Sequence, residues 1–175
     1  MADVSVRPAR SDDVDEIARI QISTWATAYE RLLPPDALAA ATPEWAREQW
    51  AAAVIEPPSP RHRVLGALHE DQRVGFTAFA PGERAMEAEI LTMLVEPRWG
   101  RRGHGSRLLA ATMDHLRDDG AKTVAMWLLD RDVATKEFLT AAGWAPSGTA
   151  RTLDTGGGEI REIEMHTSLT EDLIS

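Results

Sequence analysis

Within an acidic chain, one short stretch gathers cations and glycines in a pattern that could grip a phosphate. Arg98 to Arg107 contains Arg98, Arg101, Arg102, His104 and Arg107 and no acid, although the formal net charge of the 175 residues is -9. Inside it, Arg101-Arg102-Gly103-His104-Gly105-Ser106 sits between residues patterned as a strand and residues patterned as a helix. A helix N-terminus leaves N–H groups without partners and carries partial positive charge, and glycines let an anion approach the backbone closely. The chemistry this suggests is recognition of a polyanion such as a pyrophosphate; a plain strand-to-helix turn with solvated arginines would use the same residues. Two other phosphate-binding patterns fail on spacing. A P-loop needs a Lys after its glycines and none follows, and a dinucleotide fingerprint needs a third Gly where Leu108 stands.

The remaining composition narrows the chemistry further. There is no cysteine, which removes disulfides, thiolate metal sites and a covalent thiol nucleophile. His62, His69, His104, His115 and His166 show no ligand spacing, so no metal is expected. The negative balance argues against a nucleic-acid partner and suits a cationic amine. No apolar run approaches the roughly 20 residues that span a bilayer, and Met1-Ala2-Asp3 opens acidic, unlike a signal peptide. A cytoplasmic protein without a membrane partner is the expectation.

The elements that must carry these residues can be read from periodicity. Val4 to Pro8 suggests a first strand, Ser11-Asp12-Asp13 offers capping oxygens, and Val14, Ile17, Ile20, Trp25, Ala28 and Tyr29 recur near the helical period up to Leu33-Pro34-Pro35. Thr42-Pro43-Glu44 predicts a second helix start, with Trp45, Gln49, Trp50 and Ala53 along one side. After Pro57, Pro58 and Pro60 the texture changes to strands: a hairpin of Val64 to Leu68 with Val74 to Phe79, then Glu87 to Val95. A helix follows the glycine turn and ends at Gly120, Thr123 to Leu129 is a strand, and Val133 to Ala142 is a helix before Gly143. A last hairpin turns at Gly156-Gly157-Gly158. The expected class is α/β in the α+β sense: one domain over 1–175, with a central mixed, mostly antiparallel twisted sheet flanked by helices.

From Val4 to about Thr167 the chain resembles the GNAT superfamily of N-acetyltransferases. That family's signature is Gln or Arg, two variable residues, Gly, one variable residue, then Gly or Ala; Gly103-His104-Gly105 matches the glycine portion and Gly100 departs at the first position. Glu96-Pro97 before it and Leu108-Leu109 after it also fit. Downstream, Asp132 stands at the family's Asn position, Phe138-Leu139 at its Phe-Tyr, and Gly143-Trp144 at its Gly-Phe. The resemblance implies acetyl-CoA as acyl donor, with Arg101, Arg102, Gly103, His104, Gly105, Ser106, Asp132 and Phe138 at the cofactor. It also implies carbonyl polarisation by backbone N–H groups mapping to Met93, Leu94 and Val95.

Acetyl transfer to an amine requires a base, because an ammonium with a pKa near ~10.4 is almost wholly protonated at neutral pH. Glu89 matches the strand-borne glutamate that serves some family members, and Glu87 would share its side. The family's helix Tyr, which protonates the leaving thiolate, is Leu139 here; the one tyrosine, Tyr29, is the candidate acid from the early helical wall. Asp132 either bonds cofactor or substrate or caps the helix at Val133. The tryptophans read as core, with Trp25, Trp45 or Trp50 as an alternative substrate wall. The expected function is direct acetyl transfer from acetyl-CoA to a primary amine of a small molecule or peptide. The alternatives are a non-catalytic acyl-CoA-sensing module and transfer to protein N-termini or lysines. A homodimer is possible on the resemblance.

Overall fold

The computed structural model describes residues 3–170. The strands are β1 (Val4–Pro8), β2 (Arg63–His69), β3 (Gln72–Pro81), β4 (Glu87–Val95), β5 (Thr123–Leu129), β6 (Ala145–Asp154) and β7 (Glu159–Ser168). They form one sheet in the order β1-β2-β3-β4-β5-β7-β6. The helices are α1 (Val14–Thr27), α2 (Pro35–Ala40), α3 (Pro43–Ile55), α4 (His104–Asp118) and α5 (Val133–Ala141). All neighbouring strands are antiparallel except β4 and β5. A parallel pair needs a long crossover, and α4 supplies it.

Each face of the sheet buries a different set of helices. Ala88, Ile90, Val124, Met126 and Leu128 pack with Leu109 and Leu116 of α4. On the other face Phe76 and Leu94 pack with Ile17 and Ile20 of α1 and with Ala46 and Trp50 of α3. The β3–β4 register shifts so that Ala78 pairs Thr92 while Phe79 pairs Ile90, leaving Leu91 as an extra residue. This bulge reverses the alternation along β4. Ile90 before it and Met93 after it therefore join the same core, although three positions apart.

The geometry of this bulge positions the site. The parallel pairing of β4 with β5 ends at Ile90 and Met126, although β4 continues to Val95 and β5 to Leu129. Beyond that point the two strands have no shared ladder, and a gap opens in the middle of the sheet.

Several local expectations need correction. α1 stops at Thr27 rather than at Leu33, and Pro34-Pro35 starts α2 instead of only ending a helix, since proline is well tolerated in a first turn. Ser11–Asp13 form a short 3₁₀ turn that runs into α1; Asp13 does not cap α1 itself but closes a capping box on that turn. Its carboxylate accepts from Arg7 Nη1 at 2.6 Å, Arg10 N at 2.8 Å and Arg73 Nε at 2.8 Å. Burial opposes the charge, but these donors outweigh it and hold the Asp13 carboxyl well below its ordinary range. Thr42 does cap α3, accepting from Trp45 N at 3.1 Å. The buried face of α3 is Ala46 and Trp50, while Trp45 and Gln49 are exposed. Trp50 fixes that rotation, since its Nε1 donates to Gln21 Oε1 of α1 at 2.8 Å.

Candidate active site

Two cavities meet at the gap between β4 and β5. The first, of about 580 Å³, is lined by Met93 and Val95, by Trp99 through Ser106 except Arg102, and by Ala134, Thr135, Glu137 and Phe138 of α5. Gly103 is the N-cap of α4 at φ +83°, a conformation that favours glycine, and offers no side chain to the first N–H groups of the helix. Those groups are left for an anion. Arg101 also adopts positive φ, at 60°, so the loop carries strain at the place where it lines the cavity. Gly105 keeps the helix close to Phe138, whose ring carbons lie 3.5 Å from where a Cβ would be. An anionic group with an apolar arm fits this lining.

The second cavity, of about 260 Å³, lies on the α1 side and is lined by Trp25, Tyr29, Leu33, Leu91, Thr92, Leu94, Trp127, Asp132, Ile160 and Glu162 among others. Met93 and Thr135 line both cavities. Tyr29 Oη donates to Asp132 Oδ2 at 3.0 Å, Thr135 Oγ1 donates to the same oxygen at 2.6 Å, and Thr135 N donates to Oδ1 at 3.2 Å. Asp132 thus caps α5 and ties it to the wall formed after α1. Burial, and then the Asp132 charge, push the Tyr29 phenol well above its ordinary value.

Glu89 lies in a third, adjoining space of about 250 Å³ with Glu83, Glu87, Arg151 and Glu164. Trp127 is a wall of both this space and the second cavity. Burial raises the Glu89 pKa, Arg151 pulls it back, and Glu83, Glu164 and Glu87 raise it again. The Arg151 guanidinium lies 4.2 Å from the Trp127 ring centroid and its Nε donates to Glu162 at 2.8 Å.

The residues singled out from sequence therefore separate. Met93, Val95, Arg101, Gly103, Gly105, Ser106 and Phe138 line the first cavity. Leu94 turns its side chain to the other face because of the bulge, and Asp132 and Tyr29 line the second cavity. Arg102 stacks on Trp99 at 4.9 Å from the ring centroid. His104 lines the first cavity but is only 2% exposed; its ring centroid lies 5.5 Å from that of His69 and 6.1 Å from that of Trp99. Burial is the main cause of its lowered pKa, followed by Arg107, His69 and Arg102. Leu139 is fully buried in the core. Among the tryptophans, Trp25 lines the second cavity, Trp50 is core and Trp45 packs on Trp25 at 6.1 Å. Sequence reasoning missed Leu33, Leu91, Trp127, Ile160 and Glu162 as wall residues. The alternation of β5 could have placed Trp127 opposite the core positions Met126 and Leu128, but nothing local marks the others.

Among the described residues no helix is long and apolar enough to cross a membrane, and no group of three or more His, Asp or Glu could hold a metal ion. The chain and its fold have clear relatives. The chain is 24% identical over 133 residues to the uncharacterized N-acetyltransferase YuaI of Bacillus subtilis (strain 168), covering 74% of this chain and 73% of that one. PaiA N-acetyltransferase from Thermoplasma acidophilum, solved with coenzyme A, superposes with a TM-score of 0.77 at 16% identity, over 95% of this chain and 99% of that one. YncA from Salmonella typhimurium, solved with its cofactor acetyl-CoA, gives a TM-score of 0.72 at 15% identity, over 97% of this chain and 96% of that one. The model of the Acetyltransferase (GNAT) family matches residues 21–144, most of the chain, and the protein belongs to that family.

Proposed function

We propose that the protein is an N-acetyltransferase, one domain over 1–175, that moves an acetyl group from acetyl-CoA directly onto a primary amine. The observation that carries this reading is the parting of β4 from β5 between two cavities that share Met93 and Thr135. The chain belongs to a family of acetyltransferases, and two proteins of the same fold were solved with coenzyme A or acetyl-CoA. Gly103 to Ser106 and Arg101 would hold the pyrophosphate, with Met93, Val95 and Phe138 along the apolar arm. When bound, acetyl-CoA supplies an acyl group activated as a thioester.

This chain's residues would then manage protons and charge. Glu89 removes a proton from the ammonium, through water, since Trp127 stands between its space and the amine cavity. Its raised pKa makes it a stronger base than a free carboxylate and sets the requirement that it be deprotonated. Activity should therefore rise with pH as Glu89 ionises, at a value above the ordinary ~4.3 for Glu. Backbone N–H groups of β4 beyond the bulge, on the edge that no longer pairs with β5, are suited to polarise a carbonyl. Tyr29 keeps its proton too firmly to pass it fully to a thiolate, whose conjugate pKa is about 8.5. Its contribution is a hydrogen bond at the junction of the cavities.

Calorimetric titration with acetyl-CoA, paired with thiol release over a panel of amines, tests the proposal. Binding with release supports it. Binding without release on any amine moves the function to acyl-CoA sensing, and absence of binding removes the assignment of Arg101 to Ser106.

A further inference from the structure

The amine cavity has three physical properties that bear on its occupant. It is small, about 260 Å³, below the roughly 300–1,000 Å³ of ordinary ligand pockets. Its walls are mainly apolar and aromatic, with Trp25, Tyr29 and Trp127 joined by Leu33, Leu91 and Ile160. Its carboxylates are already engaged: Asp132 by Tyr29 and Thr135, and Glu162 by Arg151. The carboxylates Glu83, Glu87, Glu89 and Glu164 lie beyond Trp127 in the adjoining space.

One flank is also bridged. The β6–β7 tip packs on the start of α2, so closely that a Cβ on Gly157 would collide with Asp36 and one on Gly158 would lie 3.3 Å from Pro34. Leu33 and Ile160, which line the cavity, flank that contact. A peptide would have to pass this bridge. A second ammonium inside the cavity would lose its water without gaining a free counter-ion, which is costly. A ring or branched alkyl group would instead gain burial against tryptophan faces.

We infer that the acceptor is a primary monoamine on a compact apolar or aromatic body, seated against Trp127 and Trp25 with its nitrogen toward the gap between β4 and β5. This rests on the acetyl-transfer reading of the same site. Trp127 is then the specificity residue: one side of its indole is held by Arg151, which Glu162 anchors, and it divides the apolar cavity from the acidic space of Glu89.

The test uses the full chain loaded with coenzyme A, and measures binding of 2-phenylethylamine, spermidine and an unblocked tetrapeptide by calorimetry; thiol release from acetyl-CoA is measured separately. The expected result is binding of 2-phenylethylamine at least about tenfold tighter than of the other two. Trp127→Ala should weaken it about tenfold, with Trp127→Phe keeping most of the affinity. Leu33→Glu, which adds an unengaged carboxylate to the wall without touching the sheet, should shift the preference toward spermidine by about tenfold. Tighter binding of spermidine or of the tetrapeptide, no binding of 2-phenylethylamine, or indifference to both Trp127→Ala and Leu33→Glu would overturn the inference. Selective amine binding without thiol release would uphold the inference about the occupant and sink the transfer reading instead.

Discussion

The two cavities that meet at the β4–β5 gap are assembled in opposite ways. The first cavity, proposed for the cofactor, takes seven wall residues from Trp99 to Ser106, at the loop into α4, and Ala134, Thr135, Glu137 and Phe138 from α5, so most of its wall comes from two short stretches. The second cavity, proposed for the amine, draws Trp25, Leu33, Leu91, Trp127 and Ile160 from separate parts of the chain. A contiguous loop at a helix start can bind an anion with its own backbone, whatever the side chains nearby. A cavity of side chains exists only when distant elements pack, and its chemistry belongs to the packing. A backbone grip of the first kind can survive extensive side-chain change, while a cavity of the second kind is free to differ.

Substitutions on the two sides should separate in kinetics. The largest effect is expected for Glu89→Gln, which should lower kcat by about 10² to 10⁴ and remove the acid limb of the pH profile while leaving the Kd for acetyl-CoA unchanged. An unchanged rate would remove Glu89 from the chemistry. Gly103→Val forces a β-branched residue to φ +83° with its Cβ about 3.2 Å from the Arg107 guanidinium. It should raise the Kd for acetyl-CoA about 10- to 100-fold by calorimetry, with kcat largely retained at saturation. If it altered kcat alone, the division between the two sides would fail.

Smaller effects sharpen the same boundary. Tyr29→Phe removes the bond to Asp132 across the junction but leaves Thr135 holding the carboxylate. Less than about a tenfold loss of kcat is expected, read with KM on the same amine. A loss as large as that of Glu89→Gln would make Tyr29 a true proton donor. The least effect concerns His104, whose folded pKa lies below its ordinary ~6.5 because it is buried beside Arg107, His69 and Arg102. The unfolded chain then binds the proton more readily, so stability is full above pH ~6.5 and falls as pH drops toward the folded value. His104→Phe, which also removes the unpartnered Nε2, should flatten the fall of Tm between pH 7 and 5 by about one or two degrees.

Much of the fold was legible because its signals are local. Glu87–Val95 and Thr123–Leu129 have the strand bounds that their apolar runs suggest, Thr42 caps α3 as its position implies, and Gly143 sits just past α5 at φ +91°. The short α2 was not legible, since Leu33-Pro34-Pro35 carries the same residues whether a helix ends or begins there. Nor was the role of Asp13, whose flanking residues suggest a cap. Arg7 and Arg73 turn it into the centre of a buried ion cluster, and Arg73 comes from 60 residues away.

The sequence by itself determined a glycine-rich turn within Arg101 to Ser106 at a helix start, a carboxylate at Glu89 on a strand, and a mixed sheet flanked by helices. Each depends on neighbours within a few residues: glycines at a helix start, or a residue's place in a strand. Tertiary structure alone decided which of those residues meet. One extra residue at Leu91 reverses the alternation of β4, sending Met93 and Val95 to one cavity and Leu94 to the other. The β5–β7 ladder brings Glu164 opposite Trp127, and the β6–β7 tip closes on Asp36. Such contacts depend on strand register and on the packing of chain segments far apart in sequence, which no local pattern encodes.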